Sequence, residues 1–252
     1  MLNIPVLSSS QIKSFKNNGF LTVKGAFSPQ NIADLTKYTD EVLAMPELSG
    51  KQWVYHEKSL KEGNAQLVSR IENIVPFHNG FDKVTESLRQ PVSQLFGEEA
   101  ILFKEKINFK MPGGDGFKPH QDSQAGWNIY ADYFISILVS IDAATSENGC
   151  LQICSGNHKQ GLFKSWEPLS DKDIANMEFI DIPTKPGDMV FFDCFAPHKS
   201  SPNMSDKIRR IYYATYNQKS AGDYQKQYYA DKYKNYPPDI DRIIGKEYIF
   251  RV

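Results

Sequence analysis

The spacing of apolar residues changes character near Gly97. Before that point apolar positions recur mostly at helical intervals, and after it they alternate or form short blocks between turn residues. Ser8, Ser9 and Ser10 offer N-caps to a short helix through Ile12 and Phe15, which Gly19 is placed to end. Residues 20–23 then read as a strand. Ser28-Pro29, a cap followed by proline at the first helical position, opens a helix carrying Ile32, Leu35, Tyr38, Val42 and Leu43. A further helix is expected from about residue 80 to residue 95. Between these helices, residues 48–64 are polar and irregular, with Trp53, Tyr55 and His56 embedded in them. That stretch suits a lid or substrate loop and a packed surface excursion equally well.

Residues 101–110 alternate strictly. Leu102, Lys104, Lys106, Asn108 and Lys110 share one face, and Phe103, Glu105, Ile107 and Phe109 the other. The pattern leaves two readings open: lysines in solvent over an apolar core face, or a polar face lining a barrel cavity. Strands are expected at 132–141, 149–154, 178–182, 189–194 and 208–217, separated by turns such as Glu147-Asn148-Gly149 and Lys185-Pro186-Gly187-Asp188. Many short strands so punctuated indicate an antiparallel sandwich or barrel. Residues 159–176, with Trp166 and Pro168, read as a long insertion. From residue 221 the chain is tyrosine-rich and polar, and the pattern assigns it no role. One domain over 1–252 is the simplest organisation: helix-rich to about 97, barrel core 98–217, tail 218–252.

Composition narrows the function classes. A net charge of -1 gives no electrostatic footprint for nucleic acid. No segment approaches the roughly 18 apolar residues of a membrane span, so no membrane partner is expected. The N-terminus lacks the charged and apolar blocks of a signal peptide, and three cysteines suit a reducing compartment, so the expected location is the cytoplasm. Cys150 and Cys154 read as small buried side chains.

Candidate chemistry centres on Phe117-Lys118-Pro119-His120-Gln121-Asp122. On an extended backbone His120 and Asp122 leave from the same face. His198, which follows the β-like run 190–194 and precedes a turn-rich stretch, is the best candidate for a third ligand. Two histidines and one carboxylate with open positions make the facial triad of non-haem Fe(II) oxygenases. A bare His-x-Asp is common by chance, so its surroundings carry the case.

Those surroundings are ordered. Asn148-Gly149-Cys150-Leu151 leads into Gly156-Asn157-His158-Lys159, and Lys185-Pro186-Gly187-Asp188 precedes Phe191-Phe192 and His198. Ser200 and Arg209 follow. Together with Gly19-Phe20 and the helix after Ser28-Pro29, this order resembles the phytanoyl-CoA dioxygenase family of Fe(II)/2-oxoglutarate oxygenases. The resemblance implies a mainly β fold with peripheral helices, a double-stranded β-helix of the jelly-roll, cupin-like kind. It implies His120, Asp122 and His198 as catalytic Fe(II) ligands, and Arg209 as the partner of the distal carboxylate of 2-oxoglutarate, with Ser200 beside it. It also implies 2-oxoglutarate and O2 as cosubstrates, with ascorbate as an accessory. Arg210 should point to the opposite strand face. Relatives that halogenate lack the carboxylate of Asp122, so its presence favours hydroxylation. His158 fits a structural turn, Gln121 should support the loop, and His56 and His78 lie outside the barrel region.

If the alternating strand is turned as the family implies, Lys106, Asn108 and Lys110 face the cavity and favour a small anionic substrate, Lys106 reaching 2-oxoglutarate. Gln124 and Trp127 are the remaining substrate candidates, Trp127 being equally able to close the barrel mouth. Ser69-Arg70-Ile71-Glu72-Asn73 and residues 118–127 look most like the bacterial phosphonate hydroxylases of this family. The implied substrate is an organophosphonate, 2-aminoethylphosphonate hydroxylated at C1, with the product passed to a downstream C–P-cleaving oxygenase. The alternatives are a hydroxylase of a compatible solute, natural product or acyl-CoA, a β-barrel binding module, and a zinc hydrolase, which would leave Arg209 and Ser200 without purpose.

Overall fold

The computed structural model describes residues 4–63 and 65–248. Its N-terminal elements follow the cap chemistry. Helix α1 (Ser9–Asn18) starts at a capping box between Ser8 and Gln11. Gly19 ends it at φ +79°, where a Cβ would also collide with the ring of His158. Strand β1 (Phe20–Val23) leads to helix α2 (Pro29–Ala44), capped by the Ser28 hydroxyl. Helix α3 (Asn79–Phe96) runs through Pro91 and ends at Gly97.

Residues 48–64 are not a lid. Their centre forms strand β2 (Trp53–Lys58), paired antiparallel with β3 (Gln66–Glu72) through a bulge at Tyr55/His56. The sequence pattern hides this pair because Trp53, Val54 and Tyr55 are all buried in succession, without period-two alternation. His56 pairs with Asp239, and His78 caps α3 and pairs with Glu41.

Beyond Gly97 come β4 (Ala100–Lys110), β5 (Phe117–His120), β6 (Phe134–Ser140) and β7 (Leu151–Cys154). The long insertion carries only short turns and helix α4 (Asp171–Ile174). Strands β8 (Phe179–Ile182), β9 (Met189–Asp193), β10 (His198–Ser200) and β11 (Arg209–Gln218) follow. The tyrosine-rich tail forms helix α5 (Gln225–Asn235).

All pairings are antiparallel. One sheet has the order β1-β9-β6-β11-β4-β3-β2 and the other β5-β10-β7-β8. Apolar side chains of the two sheets meet between them, Leu138, Val190, Phe192 and Ile211 against Leu151, Ile153 and Ile182. Helices α1, α2 and α3 cover the outer face of the larger sheet, where Leu35, Phe81, Leu88, Ile107 and Tyr212 share one core. Helices outside and two sheets facing each other give the double-stranded β-helix.

Register fixes what faces inward. On β11, Arg209, Tyr213 and Thr215 lie opposite Lys110, Lys106 and Lys104 of β4. A bulge between Thr215 and Tyr216 leaves Phe103 unmatched, and its ring turns into a cluster with Trp127, Tyr130, Phe134 and Tyr228. Phe103 therefore does not share the outer face with Ile107, as strict alternation predicts. Cys150, Cys154 and Cys194 are buried and unpaired. Among the described residues no helix is long and apolar enough to cross a membrane.

Candidate active site

The inner wall brings His120, Asp122 and His198 together. His120 ends β5, Asp122 opens the turn after it, and His198 opens β10, directly paired with His120. One donor atom from each lies within 4.8 Å of the others. Both imidazoles are oriented from behind: Nδ1 of His120 is 2.7 Å from the Lys118 carbonyl and Nδ1 of His198 is 2.9 Å from the Ala196 carbonyl. Nδ1–H donation to those carbonyls leaves each Nε2 lone pair free for a metal. The Ser136 hydroxyl donates to Oδ2 of Asp122 at 2.8 Å, so Oδ1 faces His198 Nε2, 3.9 Å away. Burial and the facing His198 push His120 well below the usual histidine range, which keeps it in the neutral, ligating form. Asp122 is drawn down despite burial by His198, Lys104 and His120. Two imidazole nitrogens and one carboxylate oxygen fit an Fe(II) site.

Deeper along the same wall lies Arg209, 1% exposed, with Nε and Nη1 lacking any hydrogen-bond partner. Its guanidinium reaches the Tyr213 hydroxyl, and burial lowers its affinity for the proton. A buried guanidinium with two open donors suits a carboxylate. The neighbouring Arg210 points the other way, 2.7 Å from Asp142 and also paired with Asp40. Ser200, which lines the same cavity, accepts a hydrogen bond from Lys110 Nζ at 2.8 Å.

The triad and Arg209 border a cavity of about 490 Å³. Lys106 lies on its wall between the rings of Tyr213 and Phe117, and Lys104 sits 4.1 Å from the centre of the Trp127 ring. Asn108 lines it too, with its side-chain oxygen unpartnered. Burial lowers both lysines, Lys106 strongly because Lys104 and Arg70 add repulsion.

Two sequence-nominated substrate residues are not on this wall. Gln124 is fully buried: its side-chain oxygen accepts from the Gln121 amide and its nitrogen donates to the Glu167 carbonyl, so it pins the loop. Lys110 lies opposite Arg209 and is tied to Ser200 and the Ser201 carbonyl. It borders an adjoining hollow of about 420 Å³ rather than the triad cavity. Gln121 holds the loop by bonding Gly161, Phe163 and Phe195 backbone groups, and His158 packs over Gly19.

Other lining residues were not nominated. Arg70 and Glu72 project from β3, and Tyr228 and Lys232 from α5. Arg70 Nε is 2.7 Å from one oxygen of Glu72, and Lys232 Nζ pairs with the other. Burial opposes ionisation of Glu72, but Lys232 and Arg70 hold it down to about 2, while burial brings Lys232 down to about 7. Lys104 was legible as a strand-mate of Lys106, whereas Lys232 carried no signal in the tail.

Comparison with known proteins agrees with this geometry. The phytanoyl-CoA dioxygenase (PhyH) family model matches residues 15–211. The chain is 38% identical over 246 residues to 2-aminoethylphosphonate dioxygenase of an uncultured bacterium (HF130_AEPn_1), covering 96% of this chain and 93% of that protein. It is 34% identical over 245 residues to methylphosphonate hydroxylase of Gimesia maris, covering 96% and 92%. The crystal structure of EctD from S. alaskensis with 2-oxoglutarate and 5-hydroxyectoine superposes with a TM-score of 0.74 at 22% identity, over 88% of this chain and 79% of that one.

Proposed function

The chain belongs to the phytanoyl-CoA dioxygenase family, and from that premise we propose that it hydroxylates a small organophosphonate, 2-aminoethylphosphonate foremost, at the carbon bonded to phosphorus. It is an Fe(II)- and 2-oxoglutarate-dependent dioxygenase, and its substrate is a small molecule.

When bound, iron supplies the oxidising power: one atom of O2 enters the substrate C–H bond as hydroxyl, and the other enters succinate as 2-oxoglutarate loses CO2. The protein's part is positioning. His120, His198 and Asp122 offer Nε2, Nε2 and Oδ1 to the metal, each fixed by a second hydrogen bond. Arg209 receives the distal carboxylate of 2-oxoglutarate on its open Nε and Nη1, with Ser200 beside it and Lys110 bracing Ser200. Tyr213 steadies the guanidinium. Trp127 and the aromatic cluster around Phe103 keep water from the mouth.

The observation that carries the substrate reading is the placement of Lys104 and Lys106 on the wall beside the triad. An anionic head held there would share one cavity with the metal-binding side chains. Both the relatives described above act, by name, on phosphonates. The product, hydroxylated beside phosphorus, is then suited to a C–P-cleaving oxygenase. Unpaired buried cysteines accord with a cytoplasmic location.

The test is incubation with Fe(II), 2-oxoglutarate, oxygen and candidate substrates, following succinate and the phosphorus NMR spectrum. A 1-hydroxyphosphonate signal is expected. Coupled turnover of ectoine or an acyl-CoA, with none of any phosphonate, would discard the substrate while leaving the dioxygenase.

A further inference from the structure

Charge on the cavity wall is lopsided. Apart from the triad and Arg209, Arg70, Lys104, Lys106 and Lys232 line it against the single buried carboxylate of Glu72. That carboxylate is fully engaged, one oxygen with Arg70 and the other with Lys232. Asp122 is committed to the metal position. The other two acids on the lining are at the rim: Asp231 already binds Tyr130 and Lys234, and Glu247 is exposed. Lys104 and Lys106, by contrast, have only ring contacts, with no hydrogen bond or ion pair among the described residues. Asp122 and Glu72 act on both lysines through space, but neither carboxylate is in ion-pair contact with them, so their ammonium groups face the cavity with donors to offer an anion.

We propose that the site recognises its substrate by the tetrahedral dianion alone, held between Lys104 and Lys106, and contains no receptor for an ammonium group. The specificity-determining residues are Lys104 and Lys106, and the substrate class is short alkylphosphonates irrespective of an amine at C2. Glu72 acts as a strut between Arg70 and Lys232, and not as an amine ligand. A zwitterion such as 2-aminoethylphosphonate then binds with its nitrogen pointing toward the rim, where water meets it. The inference rests on the phosphonate reading above but separates from it in what it forbids.

Calorimetric titration of the iron- and 2-oxoglutarate-loaded protein without oxygen tests it. Ethylphosphonate should bind within about three-fold of 2-aminoethylphosphonate, since no buried ion pair is lost with the amine. Ethylamine, which keeps the amine and lacks the dianion, should not bind. Lys104→Met and Lys106→Met should each weaken both phosphonates about ten-fold or more. Glu72→Gln should shift the two phosphonates equally. Ethylphosphonate binding about thirty-fold or more weaker than 2-aminoethylphosphonate, or Glu72→Gln penalising only the amine, overturns the inference while leaving the phosphonate reading intact. Failure of every phosphonate to bind overturns both. The ligand series on the unaltered chain decides the matter even if a lysine variant fails to fold.

Discussion

Ser136 donates its hydroxyl to Oδ2 of Asp122 at 2.8 Å and is itself 2.9 Å from the Thr215 hydroxyl. The carboxylate is thereby held with one oxygen satisfied and one turned to the histidines. Ser136→Ala frees the carboxylate to rotate, and losing such a supporting bond typically costs about ten-fold or more in metal affinity. Iron titration of the variant should show that loss with the secondary structure unchanged.

Replacing His120, Asp122 or His198 by alanine should abolish both iron uptake and turnover, because two donors cannot hold the metal in place. Iron content after reconstitution and succinate release are the readouts. Full iron content and activity in His198→Ala would remove that residue from the site.

The two adjacent arginines should separate cleanly. Arg209→Ala removes an open buried guanidinium, and the loss of such a contact is worth on the order of 2–5 kcal/mol. The 2-oxoglutarate requirement should rise about ten-fold or more. Arg210→Ala breaks the bonds to Asp142 and Asp40, so it should lower the melting temperature and leave that requirement unchanged. The reverse outcome would place the register one residue out.

Glu105 faces away from the cavity, 1% exposed, and accepts from the Val75 amide and the Tyr229 hydroxyl. Burial pushes its carboxyl up to about 8. Its folded value lies above the ordinary one, so the folded chain binds the proton more tightly. Stability from this group is complete below the ordinary carboxylate range and is lost as pH rises toward about 8. The slope is at most ~1.4 kcal/mol per pH unit. Glu105→Gln keeps the acceptor and removes the charge. Its melting temperature relative to the parent chain should therefore rise steadily from acidic pH to pH 8, and a flat difference would reject the assignment.

The sequence revealed most where local rules and global structure coincide. Ser8, Gly19 and Ser28-Pro29 mark helix ends because caps act within a few residues. His120, Asp122 and His198 were recognisable because turn motifs bracket them and strand periodicity sets their face. Arg70 and Glu72 stood out as part of a motif, but not as cavity residues, because their burial depends on pairing with each other and with Lys232 far along the chain. Helix α5 escaped because its buried side chains, Tyr228 and Tyr229, are adjacent instead of spaced along one face. Gln124 and Lys110 show the reverse situation. Their chemistry suited a ligand, but nearby backbone carbonyls and Ser200 had already claimed their hydrogen bonds.

The ion pair between Lys232 and Glu72 joins the last helix to the third strand, across most of the chain's length. Every triad residue, Arg209, Lys104 and Lys106 precede α5 in the chain. The chamber is thus closed by a segment remote in sequence from the metal position, so loosening α5 would open the substrate side of the cavity while leaving the three ligand side chains on their own strands.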